Sequence, residues 1–187
     1  MDRNGLEKAL IHHCAPTLAG LKSAGLFRYF YESRQSAEEE IAQTDALLQA
    51  KGVYVEALIW NKDSVLIYIY RLNHLQRELQ NPEALEILQE YGYVGCDAGS
   101  CIRHLKKRVC ECACFPHEIG IFLGYPPEDV RGFIENSGQN CKCCGIWKVY
   151  CNEQDKIQMF CKFQKCSDVY RQVFSKGRGL AQMTVGA

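Results

Sequence analysis

The chain has 187 residues, twelve of them cysteine, and its 22 lysines and arginines balance 22 aspartates and glutamates. A chain of this length buries about 70% of its unfolded surface, so it needs neither disulfides nor a structural metal to fold. A net charge of zero argues against nucleic acid or anionic lipid being held by bulk charge. The first fourteen residues carry Asp2, Arg3, Glu7 and Lys8 and no apolar stretch of signal-peptide length, and no segment approaches eighteen apolar residues. The expectation is a cytoplasmic chain with no membrane partner, whose thiols stay reduced and serve as packing residues, ligands or reactive groups. Residues 1–95 hold 9 basic against 13 acidic side chains and residues 96–187 hold 13 against 9, and eleven of the twelve cysteines fall in the basic half.

In chain order, Leu6, Ala9, Leu10 and His13 have helical spacing, and Pro16 predicts an end to that helix just before it, with Cys14 at the junction. Residues 26–31 read as a short aromatic strand. Ser36, followed by Ala-Glu-Glu-Glu, predicts an N-cap for a helix ending near Gly52. Val53 to Trp60 and Ser64 to Tyr70 are β-branched and aromatic runs separated by Asn61, Lys62 and Asp63, a hairpin signal. Helices are expected over 72–80 and 82–91, the second capped by Asn81 with Pro82 at its first position, and over about 98–109. Pro116 opens a short helix closed by Gly124, and Pro126-Pro127 opens another that runs to Asn136. Ile146 to Tyr150 read as a strand, and Ile157 to Phe174 as a helix. Residues 176–187, with three glycines, read as a frayed tail. The pattern predicts one α+β domain over residues 1–187, with a small antiparallel sheet of three or four strands and about seven helices.

Three constellations could carry chemistry. Cys14 follows His12 and His13 and precedes Pro16, a setting in which a helix end, the imidazoles and Lys22 would activate a thiol; a buried structural cysteine is the plainer reading. His117 and Glu118 sit at a helix start, where adjacent positions diverge by about 100°, so one of them can face a pocket while the other caps or pairs elsewhere. Cys110, Cys112 and Cys114, with Cys141, Cys143 and Cys144, could together supply a soft-metal or iron-sulfur site, although neither triplet has the two-to-four-residue spacing of zinc ligands. The basic run Arg103, His104, Lys106, Lys107 and Arg108 lacks interleaved aromatics and reads as a solvated helix face. The helical pair around Gly124 offers Glu128, Asp129 and Glu135 against Arg131, which excludes a DNA-reading helix.

The segments His13-Cys14-Ala15-Pro16-Thr17-Leu18-Ala19-Gly20-Leu21-Lys22, Phe115-Pro116-His117-Glu118-Ile119-Gly120-Ile121-Phe122-Leu123-Gly124-Tyr125-Pro126, Asp129-Val130-Arg131-Gly132-Phe133-Ile134 and Trp147-Lys148-Val149-Tyr150 resemble a bacterial family of about this length. It is designated domain of unknown function 3793 and is found mostly in anaerobes. The resemblance implies that His13, Cys14, Lys22, His117, Glu118 and Lys148 occupy motif positions and that Cys110, Cys112 and Cys114 do not. It implies no activity.

The leading expectation is a metal-handling or thiol-redox protein whose site joins Cys14, His13 and His117, with Glu118 orienting an imidazole or completing the ligand set. His13, Lys22 and Lys148 are the expected ligand-binding residues, and zinc or iron is the metal such a set would take. A second expectation is a thiol enzyme with Cys14 as nucleophile, His117 as base and Glu118 as its orienter. A third is a non-catalytic adaptor or binding protein for a small ligand or a protein partner.

Overall fold

A computed structural model describes residues 5–111 and 115–186. The fold is α+β, and the chain divides into two compact units: Met1–His74 with Lys165–Ala187, and Leu75–Gln164. Among the described residues no helix is long and apolar enough to cross a membrane.

The first unit is built on a three-stranded antiparallel sheet of β1 (Ala24–Phe30), β2 (Val53–Trp60) and β3 (Ser64–Arg71), in the order β1-β3-β2. Central β3 is apolar on the face where Val65, Ile67 and Ile69 alternate, and the register sets Phe27 opposite Ile67 and Val55 opposite Ile69 on that face. Helices α1 (Leu6–Leu18) and α2 (Arg34–Gln49) cover it, burying Leu10, Ile11, Leu18, Ile41 and Leu48. Each such side chain contributes about 1.5–3 kcal/mol by leaving water. A register shift between Ala57 and Ile59 inserts one residue into β2.

Several local expectations change in this unit. Proline cannot donate to the helix ladder and its ring clashes with the carbonyl four residues earlier, so α1 breaks rather than ends. Cys14 takes φ −127° and ψ 18°, and a second turn carrying Pro16 runs on to Leu18. The cap of α2 is Ser33, whose hydroxyl accepts from the Ser36 amide, so Ser36 lies inside the helix. The frayed tail is also corrected. Residues Leu180–Met183 form helix α9, with Leu180 fully buried and Met183 in the same core. The Val185 amide donates to the Leu18 carbonyl, and the buried Arg71 guanidinium donates to the carbonyls of Thr17, Leu18 and Val185. Three glycines in a dozen residues signal flexibility locally, but two apolar side chains and an internal cation hold the segment.

The second unit contains α4 (Pro82–Glu90), α5 (Ala98–Glu111), α6 (Ile119–Phe122), α7 (Pro127–Glu135) and a two-stranded ladder of β4 (Cys143–Cys144) and β5 (Lys148–Val149). The divisions between units fall within α3 (Leu72–Leu79) and α8 (Glu153–Ser175). Asn81 caps α4 as expected, accepting from the Glu83 amide at 2.9 Å. The strand expected over Ile146 to Tyr150 shortens to Lys148–Val149, because Gly145, Ile146 and Trp147 make the turn from β4, closed by the Gly145 amide on the Trp147 carbonyl. Trp147, Val149 and Phe163 form the centre of a small core with Cys143, Met159 and Phe160 packed around it.

Candidate functional site

The site in the second unit is a cleft between the β4–β5 hairpin, α7 and the segment that leads into α6. The hairpin depends on Asp129, a buried carboxylate in the first turn of α7. It accepts from the indole Nε1 of Trp147 at 2.8 Å and from the amides of Tyr150 at 2.7 Å and Cys151 at 3.1 Å, which pins the hairpin to the helix. A buried carboxylate is tolerated when its oxygens are filled with donors in this way. Gly145 completes the turn, since a Cβ there would enter the Phe160 ring.

Alternation in the short ladder separates two sets of side chains. Cys143 and Val149 are paired and belong to the small core, whereas Cys144 and Lys148 are paired on the opposite face and line the cleft. Trp147 stacks on Tyr125 with centroids 4.7 Å apart and meets Phe160 edge-on at 4.6 Å. On the facing wall, Phe133 receives the His117 ring at 5.0 Å in an edge contact and the Lys148 Nζ at 5.8 Å from its centroid. The Lys148 ammonium also donates to the Gly138 carbonyl, which fixes its position. The cleft holds about 320 Å³, within the range of small-ligand sites. At its lining Phe115 and Ile146 remain 48% and 46% exposed, large apolar surfaces left in water. Chemically, this is an aromatic slot with two basic side chains, suited to a flat apolar body that carries a negative group.

The sequence-based candidates separate. Cys14, His13 and Lys22 belong to the first unit, and His117, Glu118, Lys148 and the triplet Cys141, Cys143 and Cys144 to the second. Cys14 is 1% exposed, and its sulfur packs so tightly on β1 that a Cβ at Gly25 would lie 2.7 Å from it. Burial pushes the Cys14 thiol up to about 12, and the charge of Lys22 offsets only part of this. The expected activation of Cys14 is therefore reversed. Cys14 follows Leu10 by four residues and Ile11 by three, on the face of α1 that these side chains bury, so its thiol enters the core rather than a helix end in water. His13 is exposed and stacks on Phe27 at 5.1 Å; partial desolvation, and secondarily His12, hold its imidazole below the ordinary value. Lys22 donates to the Ala24 carbonyl.

Glu118 does not orient His117. It is fully buried and accepts from Arg108 Nε at 2.7 Å and from the Tyr93 hydroxyl at 3.4 Å, while Arg108 also lies over the Tyr91 ring. The two residues lie in the turn that leads into α6, with Glu118 at its N-cap, and they project apart, His117 to the cleft and Glu118 to a buried ion pair. Burial, and secondarily Glu118, push the Tyr93 hydroxyl well above its ordinary range. Partial burial, with Glu153 adding to it, raises the Cys143 thiol. Among the described residues no group of three or more His, Cys, Asp or Glu side chains is placed to hold a metal ion, so neither Cys14 with His13 nor the triplet Cys141, Cys143 and Cys144 forms a ligand set there. Cys112 and Cys114 lie outside the described residues.

Sequence reasoning missed the roles of Asp129, Tyr125, Phe133 and Trp147. An acid in a first helical turn reads as a dipole partner, and nothing local marks it as the acceptor for a hairpin twenty residues on.

A family model described as a protein of unknown function (DUF3793) matches residues 10–184, and the chain belongs to that family. No curated protein and no solved structure matches the chain.

Proposed function

We propose that this member of the family is a binding protein whose second-unit cleft takes a small molecule with a flat apolar body and an anionic group. The observation that carries the reading is the meeting of two basic side chains, His117 and Lys148, on one aromatic ring, Phe133, beside the stacked pair Trp147 and Tyr125. Aromatic walls supply affinity without demanding a particular substituent pattern, and a fixed ammonium supplies discrimination by charge. Of the three readings drawn from the sequence, the binding reading has the support of a formed cavity. The joint site of Cys14 with His117 loses its main motivation with the burial of that thiol.

The test is titration calorimetry with three isosteric probes: 1-naphthoate, 1-naphthalenemethanol and 1-naphthylmethylamine. Naphthoate should bind more tightly than the alcohol by about tenfold, the effect of one partly exposed charge-assisted contact worth about 1.4 kcal/mol, and the amine should bind most weakly. Lys148→Met should bring naphthoate down to the level of the alcohol. Failure of all three probes to bind, or indifference to charge, rejects the reading.

A further inference from the structure

We propose that Cys144 is a thiol–disulfide exchange site within this cleft, and that its substrate is a low-molecular-weight disulfide bearing an anionic group. The inference rests on the cleft being a ligand site. Cys144 stands directly across the ladder from Lys148, and opposed residues of an antiparallel pair project to the same side with Cβ atoms about 4.5–5.5 Å apart. The thiol is exposed, lines the same cavity as His117 and Trp147, and is separated by one residue from the exposed apolar edge of Ile146. Both side chains line one cavity, so a ligand whose negative group meets Lys148 is held in the same cleft as the Cys144 sulfur.

The other described thiols define the selectivity. Cys14 and Cys101 are buried, Cys143 packs on the inner face of the hairpin, and Cys96, Cys141, Cys151 and Cys166 are half-buried and do not line the cleft. Cys110 and Cys161 are as exposed as Cys144 but lie on α5 and α8 and do not line the cleft. Cys110 also follows the basic run that ends in Arg108, so simple attraction of an anionic reagent would favour it. What singles out Cys144 is recognition, which raises the local concentration of a reagent that fits.

In the exchange, the Cys144 proton leaves to water and the sulfur attacks one sulfur of the bound disulfide R–S–S–R. The ligand's S–S bond breaks, a Cys144–S–S–R bond forms, and the second half departs as RS⁻ with the bonding pair, taking up a proton according to its own basicity. Cys144 is oxidised to the mixed disulfide and one ligand sulfur is reduced to a thiol. No further oxidant is needed.

The reduced full-length chain is treated with a substoichiometric amount of 5,5′-dithiobis(2-nitrobenzoate), an aromatic dianion, and in parallel with 2-hydroxyethyl disulfide, which is neutral and aliphatic. Quenched samples are mapped by mass spectrometry. Cys144 should react with the aromatic dianion about tenfold faster than Cys110 and Cys161, and the bias should shrink to within about threefold for the neutral reagent. Excess 1-naphthoate should slow Cys144 and leave Cys110 and Cys161 unchanged. Lys148→Met should remove the bias and Lys148→Arg should restore it, with melting curves showing both variants folded. Equal labelling of Cys144, Cys110 and Cys161 by the dianion, in a chain that still binds naphthoate by calorimetry, overturns the exchange site alone. Loss of naphthoate binding in the unmodified chain overturns the cleft as a ligand site, and the exchange site with it.

Discussion

Replacing Asp129 should separate the hairpin from α7 and abolish the cleft. The carboxylate accepts three hydrogen bonds, from Trp147 Nε1 and from the amides of Tyr150 and Cys151, at 2.7 to 3.1 Å, and it is 1% exposed. In Asp129→Ala, two backbone amides and an indole N–H lose their acceptor in a buried setting. Bonds to a charged acceptor contribute about 1.5–3 kcal/mol each, and bonds sharing one acceptor do not add fully, so the expected loss is about 3–5 kcal/mol. For a chain of this size that corresponds to a fall of about 10 °C in melting temperature. Asp129→Asn retains one carbonyl oxygen but turns an NH2 toward at least one donor, and should lose about half as much. The assay is thermal unfolding followed by tryptophan emission, because Trp147 lies at the affected site and Trp60, the second of the two tryptophans, serves as an internal reference in the other unit. Naphthoate binding should disappear with Asp129→Ala at temperatures where the first unit remains folded. An Asp129→Ala protein that melts within 2 °C of the parent, or that binds naphthoate unchanged, refutes the assignment of Asp129 as the residue that builds the cleft.

Four further outcomes follow from the first unit. Cys14 should resist iodoacetamide in the folded chain and react only on unfolding, while Cys110 and Cys161 react at once; rapid labelling of folded Cys14 would show the core there to be open. Because its folded pKa is raised from an ordinary value near 9 to about 12, Cys14 contributes stability that is full below pH 9 and declines as pH rises toward 12, and Cys14→Ala should flatten that part of the stability profile. Gly25→Ala places a Cβ 2.7 Å from the Cys14 sulfur and should cost about 1–3 kcal/mol; combined with Cys14→Ala, which removes the sulfur, most of that cost should vanish, and strict additivity in denaturant titrations would reject the contact. Leu180→Ala, which empties a fully buried position, should destabilise the chain by about 2–4 kcal/mol, whereas an unchanged denaturation midpoint would return residues 176–187 to the status of a frayed tail.

Half of the candidate site is legible in the sequence. His117 and Lys148 stand out there and both line the cleft, yet the same reading sets Cys14 beside them and values Cys144 only as a remote metal ligand. The error has a physical source. The neighbours of Cys14 along the chain, His12, His13 and Lys22, suggest an activated thiol, but a thiol's reactivity depends on solvation, and its solvation depends on the packing of the α1 face that carries Leu10, Ile11 and Cys14 onto Gly25 and the rest of the sheet.

Local chemistry is enough to establish the α+β class, the β2–β3 hairpin around Asn61, Lys62 and Asp63, the Asn81 cap with Pro82 behind it, and the Pro127 start of α7, because turn, cap and strand preferences act over a few residues. Tertiary structure alone decides that Glu118 pairs with Arg108 instead of His117, that Asp129 holds a hairpin twenty residues away, and that the C-terminal residues close on Arg71. A buried charge takes whichever opposite charge or donor the packing brings within hydrogen-bond reach. No spacing along the chain encodes that distance.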